Sequence, residues 1–182
     1  MNHLKISRKK IGFTARKINL ERVKQIKVRY GESIFITCGK SANLKSLFIE
    51  NYEGTIFTTS GIDIVGNNNV IKLPVDTLDT QNYIAASDII IAKAGWSTIS
   101  EAIVANKKLV LIERIVLEDS HNIKQLKRKN LVISIKENEL KNIDMKDIEQ
   151  KTRNLKKLER IEGNKNSIIE LLEIDDKVHK FV

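Results

Sequence analysis

The stretch Asp88–Ala105, DIIIAKAGWSTISEAIVA, decides how the rest of this chain is read. A short apolar run suited to a buried strand turns at Ala94-Gly95-Trp96 and continues over Ser97–Ala105 as a helix. A strand feeding directly into a helix is half of a βα unit. Working outward, Ser33–Cys38, Thr55–Thr59 and Val70–Leu73 read as strands upstream, and Lys108–Ile112 and Leu131–Ile135 as strands downstream. Helices are expected over Ala42–Glu50, Thr80–Ser87, Asp119–Lys129 and Asp144–Leu172, the last with a break at Gly163-Asn164. Short apolar strands alternating with helices imply an α/β fold: a doubly wound, Rossmann-like parallel sheet of about six strands with helices on both faces. In such sheets ligands bind outside the carboxyl ends of the strands. Chemistry is therefore expected in the loops after Cys38, Leu73, Ala92 and Ile112.

With 182 residues, 41% of them hydrophobic and 30% charged, the chain suits one globular core and is not a disordered tract. One cysteine excludes a disulfide framework and fits a reducing, cytoplasmic setting. No apolar run reaches the ~18 residues that span a bilayer, and the basic N-terminus lacks a signal peptide's apolar region. The net charge of +9 is local: residues 1–30 hold ten Lys/Arg and one acid, leaving 22 bases and 22 acids beyond. Residues 1–10 read as a basic arm, 11–174 as the domain and 175–182 as a tail, with an amphipathic stretch (Leu20, Val23, Ile26) able to pack on the body. A basic arm attracts anionic lipid, RNA or a phosphorylated ligand, but a solvated lysine-rich segment accounts for it as well. The aromatics, 5% of the chain, do not alternate with the bases, which disfavours nucleic acid.

In the Asp88–Ala105 stretch, Gly95 permits a tight turn and close backbone approach. The helix start beyond it, with its partial positive charge, suits a diphosphate. Glu101, one turn on, suits two vicinal hydroxyls such as those of a ribose. A ligand-free reading has equal standing: Ser97 or Thr98 caps the helix, and Thr98-Ile99-Ser100-Glu101 forms a capping box. In the loop after Ile112, Asp119, Ser120, His121 and Asn122 crowd a helix start and suit sugar hydroxyls, although Asp119 or Ser120 alone reads as a cap. Gly39-Lys40-Ser41 follows a strand but lacks the repeated glycines of a phosphate cradle. Cys38 reads as a buried thiol, and His3 and His179 lie too near the chain ends to form a metal triad with His121.

Together these segments resemble the C-terminal, donor-binding half of a GT-B glycosyltransferase, and most nearly glycosyltransferase family 28, the group of the lipid-linked N-acetylglucosaminyltransferase of peptidoglycan synthesis. AGWSTISEAIVANKKLVLI resembles that family's G-x-x-T-x-x-E-A signature, EDSHNIKQL its following D-x-Q-x-x-N-A stretch, and ASDIII the strand leading in. Gly12-Phe13-Thr14-Ala15-Arg16 resembles the G-N-P-V-R that opens the domain, and Cys38-Gly39-Lys40-Ser41 its G-G-S loop. The resemblance implies that Arg16 and the Leu73-Pro74-Val75 turn bind the uracil base, and that Gly95, Ser97, Thr98 and Ser41 bind the diphosphate. It implies that Glu101 holds the ribose, while Asp119, His121 and Asn122 face the donor sugar. The implied reaction is hexosyl transfer from a UDP-sugar to an acceptor hydroxyl, with no metal and no cofactor, and no catalytic residue is assigned.

Departures from the pattern fall at Lys40 (a glycine in the family), Asn106-Lys107-Lys108 (G-x-P), Glu113 (often proline) and Gln125-Leu126 (N-A). Because a GT-B enzyme has two such domains, the resemblance implies a missing N-terminal acceptor domain or a membrane-associated partner subunit. The setting it implies is cytoplasmic, peripheral at the inner face of a membrane. A non-catalytic nucleotide-sugar-binding module, a UDP-sugar hydrolase or 2-epimerase, and a nucleic-acid binder acting through the arm are the other readings the sequence allows.

Overall fold

The computed structural model describes residues 13–38, 44–59, 61–66 and 69–157. The arm at 1–10, Gly12, the Gly39-Lys40-Ser41 loop and the chain beyond 157, including the tail at 175–182, lie outside the described residues.

The six expected strands form one parallel sheet. They are β1 (Ser33–Thr37), β3 (Thr55–Thr58), β5 (Val70–Lys72), β6 (Ile89–Lys93), β7 (Lys108–Glu113) and β8 (Val132–Lys136). Their order is β5-β3-β1-β6-β7-β8, all pairs parallel. Successive strands are added outward in one direction from β1 and in the other from β6. The strand order therefore reverses between these two, and there the carboxyl edge opens a crevice.

Alternation along each strand sorts the core into two layers. Phe35, Phe57, Ile90, Ala92, Leu109 and Leu111 face helices α1 (Leu20–Tyr30), α2 (Thr80–Ala86), α3 (Trp96–Val104) and α4 (Leu117–Arg128). Ile34, Ile36, Ile56, Ile89, Ile91 and Val110 face a smaller layer. It consists of α5 (Met145–Thr152), the 3-10 turn Glu137–Lys141 and a second parallel sheet of β2 (Leu44–Glu50), β4 (Ile62–Val65) and β9 (Ile143–Asp144). The amphipathic stretch after the arm is α1, which buries Ile26 in the helical layer. Gly31 ends it at φ 66°, a left-handed conformation that costs glycine little, and turns the chain into β1.

Two expectations fail. The helix expected over Ala42–Glu50 is a strand over its described part, residues 44–50. Leu47 and Ile49 are buried while Phe48 and Glu50 are exposed, a two-residue period that only a strand puts on one face. The helix expected over Asp144–Leu172 starts at Met145, with Asp144 as its N-cap, and stops at Thr152, while the rest of that span from 158 on, with the expected break at Gly163-Asn164, lies outside the described residues. Beyond Thr152 the backbone turns to bond Asn130 instead: Lys156 N–H donates to its carbonyl at 2.8 Å, and its side-chain amide donates to the Asn154 carbonyl at 2.9 Å.

Candidate functional site: the carboxyl edge of β6 and its neighbours

β6 ends at the reversal point, and Ala94-Gly95 carries the chain into α3. Gly95 is the N-cap in extended conformation (φ −72°, ψ 132°), and no side chain caps the helix. Ser97 and Thr98 lie inside the first turn and are not caps, so the capping-box reading fails. Its physical reason is that the helix already begins at Trp96, which makes Thr98 a helical position, and the Glu101 carboxylate is engaged elsewhere. Arg16 Nε donates to Glu101 Oε1 at 2.6 Å and Arg16 Nη2 to Oε2 at 3.3 Å. Glu101 is 4% exposed, so this half-exposed guanidinium compensates a nearly buried charge.

Arg16 also joins two elements. Its Nη1 donates to the Leu78 carbonyl at 2.8 Å and its Nη2 to Thr80 Oγ1 at 2.6 Å, which ties the loop after β5 to α3. That loop begins with Leu73, which is buried with its N–H on the Thr58 carbonyl at 2.8 Å. Pro74 and Val75 are exposed, and the Pro74 carbonyl accepts from Thr77 N–H at 3.1 Å. Arg16, Glu101 and the Leu73–Val75 turn thus form one wall of the crevice, joined by the loop through Leu78.

The opposite wall is the start of α4. Asp119 is 7% exposed, and its Oδ2 has no hydrogen-bond partner among the described residues. His121 is exposed. Asn122 points inward: its side-chain amide donates to the Ala94 carbonyl at 3.0 Å, fastening α4 to the turn before α3. Neither Asp119 nor Ser120 caps the helix, whose N-cap position falls on Val116 with no side-chain bond. Ser41, the remaining candidate, lies outside the described residues.

Sequence reasoning passed over Lys93 and Trp96. Lys93 closes β6, and its Cε stands 3.4 Å from where a Cβ on Gly95 would sit, so it lies beside the turn. The signal was available: it is the one cation in the run Asp88–Ala105 and directly precedes Ala-Gly. Trp96, at the first position of α3, stacks on Phe13 with ring centroids 5.4 Å apart. Cys38 follows β1 and is buried in the core, and burial pushes its thiol up to about 12 despite the nearby charges of Arg114 and Lys93. That thiol is protonated and inert at neutral pH. Among the described residues no group of three His, Cys, Asp or Glu could hold a metal ion, and no helix is long and apolar enough to cross a membrane.

An uncapped helix start at the reversal point of a six-stranded parallel sheet, with a buried acid one turn on, is the geometry met by the family comparison. The glycosyltransferase family 28 C-terminal domain matches residues 14–173. The chain belongs to this family. Comparison with the curated proteins finds no match. Among solved structures, the glycosyltransferase of kitacinnamycin aligns over 96% of this chain and 47% of its own, with a TM-score of 0.57 and 9% identity. Arabidopsis thaliana UGT89C1, solved with UDP, aligns over 85% of this chain and 46% of its own (TM-score 0.52, 10% identity). The glycosyltransferase SnogD from Streptomyces nogalater aligns over 76% and 38% (TM-score 0.50, 14% identity). These likenesses show the fold, and the chain spans less than half the length of each of the three.

As a glycosyltransferase family 28 C-terminal domain, the chain carries a donor-binding fold whose departures from the family pattern are interpretable. The glycine expected after α3 is Asn106, which adopts φ 54°, a left-handed conformation that asparagine tolerates better than most residues. Glu113, where the family often has proline, accepts from Ser134 Oγ and pairs with Lys127 at 3.7 Å.

Proposed function

We propose that this domain binds the UDP moiety of a UDP-sugar at the carboxyl edge of β6 and supplies the donor half of a hexosyltransferase. The observation that carries the reading is the bare amide start of α3 beside Lys93, one turn before the buried Glu101. The diphosphate would lie on the N–H groups of Gly95–Thr98, with Ser41 contributing from the loop after β1. Glu101 would accept from the ribose hydroxyls with the oxygen that Arg16 holds less tightly. Arg16 and the Leu73–Val75 turn would border the base, and Asp119, His121 and Asn122 the sugar. The UDP bound to the Arabidopsis protein supports uridine as the nucleoside.

In the reaction, an acceptor oxygen bonds to the anomeric carbon as the bond from that carbon to the β-phosphate oxygen breaks. The electron pair leaves with UDP. Preorganised amides, the helix-start charge and the Lys93 ammonium would stabilise the developing charge without a divalent ion. The acceptor site and the base that takes its proton belong to a second domain or a partner subunit. Calorimetry without Mg²⁺ should detect UDP binding; no binding, or binding only with metal, would overturn the reading. Glu101→Gln should weaken UDP about tenfold, equivalent to ~1.4 kcal/mol, and leave 2′,3′-dideoxy-UDP nearly unaffected. Equal loss for both would leave Glu101 only the task of holding Arg16.

A further inference from the structure

The family pattern breaks at Asn106-Lys107-Lys108, and the break puts two lysines at the amino edge of the main sheet, the end opposite the donor site. Lys107 sits between α3 and β7, its backbone fixed by its N–H donating to the Ala102 carbonyl at 2.9 Å. Both lysines line two cavities that meet there. One, of about 600 Å³, opens among the starts of β1, β6 and β7 and takes in Tyr52, Glu149 of α5 and Lys157. The other is bounded by Arg153, Lys156 and Lys157, and its lining holds no acid among the described residues.

Charge is sorted across this edge. Burial, and then Glu32, Asp88 and Glu149, push the Tyr52 phenol up, so the acids gather on its side of the cavity. Lys107 is half-buried and faces Lys27 and Lys157, with Asp88 opposing them. Asp88 is already shared: its Oδ1 stands 4.0 Å from Lys27 Nζ, and its Oδ2 accepts from Ser33 N–H at 3.3 Å. Burial and the two facing lysines outweigh it and bring the Lys107 ammonium down to about 8. At pH 7 about one such amine in ten is uncharged, against about one in 2,500 for an ordinary lysine.

A nucleophilic amine beside a purely basic mouth selects electrophiles that arrive as anions. We propose that Lys107 is a site of N-acylation by small acyl phosphates, drawn to it by Lys108, Arg153 and Lys156. The Lys107 amine attacks the acyl carbon, and the C–N bond forms as the C–O bond to phosphate breaks. Inorganic phosphate leaves with the electron pair, and the proton lost from nitrogen passes to it or to water. The product amide is neutral, so the burial and like charges that oppose the ammonium do not oppose it. The larger cavity has room for a short acyl chain. This modification lies at the other end of the sheet from the donor reading and does not depend on it.

The test is incubation of the full chain with acetyl phosphate between about pH 6.5 and 10.5, with acetylation read lysine by lysine by mass spectrometry after proteolysis. At pH 7 Lys107 should acetylate about tenfold faster than the exposed Lys124 and Lys141. Its rate should level off above about pH 8, some two units below an ordinary lysine. The double variant K108Q/K156Q removes two lining cations and keeps Lys27 and Lys157, which set the charge state of the amine. It should slow acetyl phosphate about threefold or more and leave the rate with a neutral acetyl N-hydroxysuccinimide ester unchanged. Any of three results would overturn the proposal: Lys107 acetylates no faster than Lys124; its rate climbs to about pH 10 without levelling; or K108Q/K156Q slows both reagents equally. The first two are read on the unaltered chain, so they hold even where the variant fails to fold.

Discussion

α3 and α5 are helices of nearly equal length whose starts are built in opposite ways. α5 begins at Asp144, whose Oδ1 accepts from Lys146 N–H at 3.0 Å and from the Asn51 side-chain amide at 2.9 Å. α1 is similarly capped, by Asn19 Oδ1 accepting from Arg22 N–H at 3.1 Å. α3 begins at a glycine that offers its amides no side chain, and α2 and α4 also lack side-chain caps. The three uncapped helices among the described ones follow β5, β6 and β7 at the carboxyl edge of the main sheet. In contrast, α1 starts beside α2 at that edge, Asn19 N–H donating to Asn82 Oδ1 at 2.8 Å, and is capped. A glycine N-cap such as Gly95 forgoes only about a few tenths of a kcal/mol against a side-chain cap. At α3 the bare start leaves the amides open to a ligand, as the proposed donor site requires.

The strongest way to break this contrast is to give α3 a cap. Gly95→Asp is sterically open, since φ is −72° and the new Cβ meets only the flexible Lys93 side chain at 3.4 Å. The carboxylate should bond the amides, hold or raise the thermal midpoint, and weaken UDP by at least about tenfold (~1.4 kcal/mol) through occupied donors and charge repulsion. Calorimetry and thermal melts on one sample would check both signs, and unchanged affinity would mean the amides serve no anion. A comparable effect, on folding, is expected from Arg16→Ala. It strands the buried Glu101 carboxylate and should cost about 1–2 kcal/mol in urea unfolding, discounted because Arg16 is itself half exposed.

The smallest effect sharpens the contrast from the capped side. Asp144→Ala should lower the urea midpoint slightly and leave UDP affinity unchanged. The Asn51 side-chain amide, and after it the backbone N–H groups of Lys146 and Asp147, hold the Asp144 carboxyl below its ordinary range. A depressed carboxyl stabilises the fold above its unfolded value of about 3.9, and that stability is lost as pH falls through the lower folded value. Wild type and variant should therefore differ at neutral pH and converge below about pH 4 in urea titrations followed by circular dichroism.

The main sheet was legible because each of its strands is a short apolar run between turn residues, and all six join one parallel sheet as expected. The second sheet was not. β2 carries enough helix-forming residues to mask its alternation, β4 has four residues and β9 has two. In the site, the turn at Gly95 and the buried Glu101 could be placed from the motif. Whether Ser97 or Thr98 capped the helix could not, because that depends on the residue at which the helix starts and on which partner Glu101 finds. The partner is Arg16, 85 positions away, and no local pattern connects them. Asn122 shows the same limit: the resemblance implied a residue facing the donor sugar, whereas its side-chain amide donates to the Ala94 carbonyl.

That last contact gears two tasks together. The Ala94 carbonyl belongs to the peptide segment that leads into the amides proposed to meet the diphosphate, and Asn122 belongs to the segment that would choose among sugars. A change of sugar preference made at Asn122 would tilt the leaving-group cradle as well. Diversification of the donor is therefore mechanically cheaper at Asp119 and His121, where a side chain can be exchanged without dragging the turn behind it.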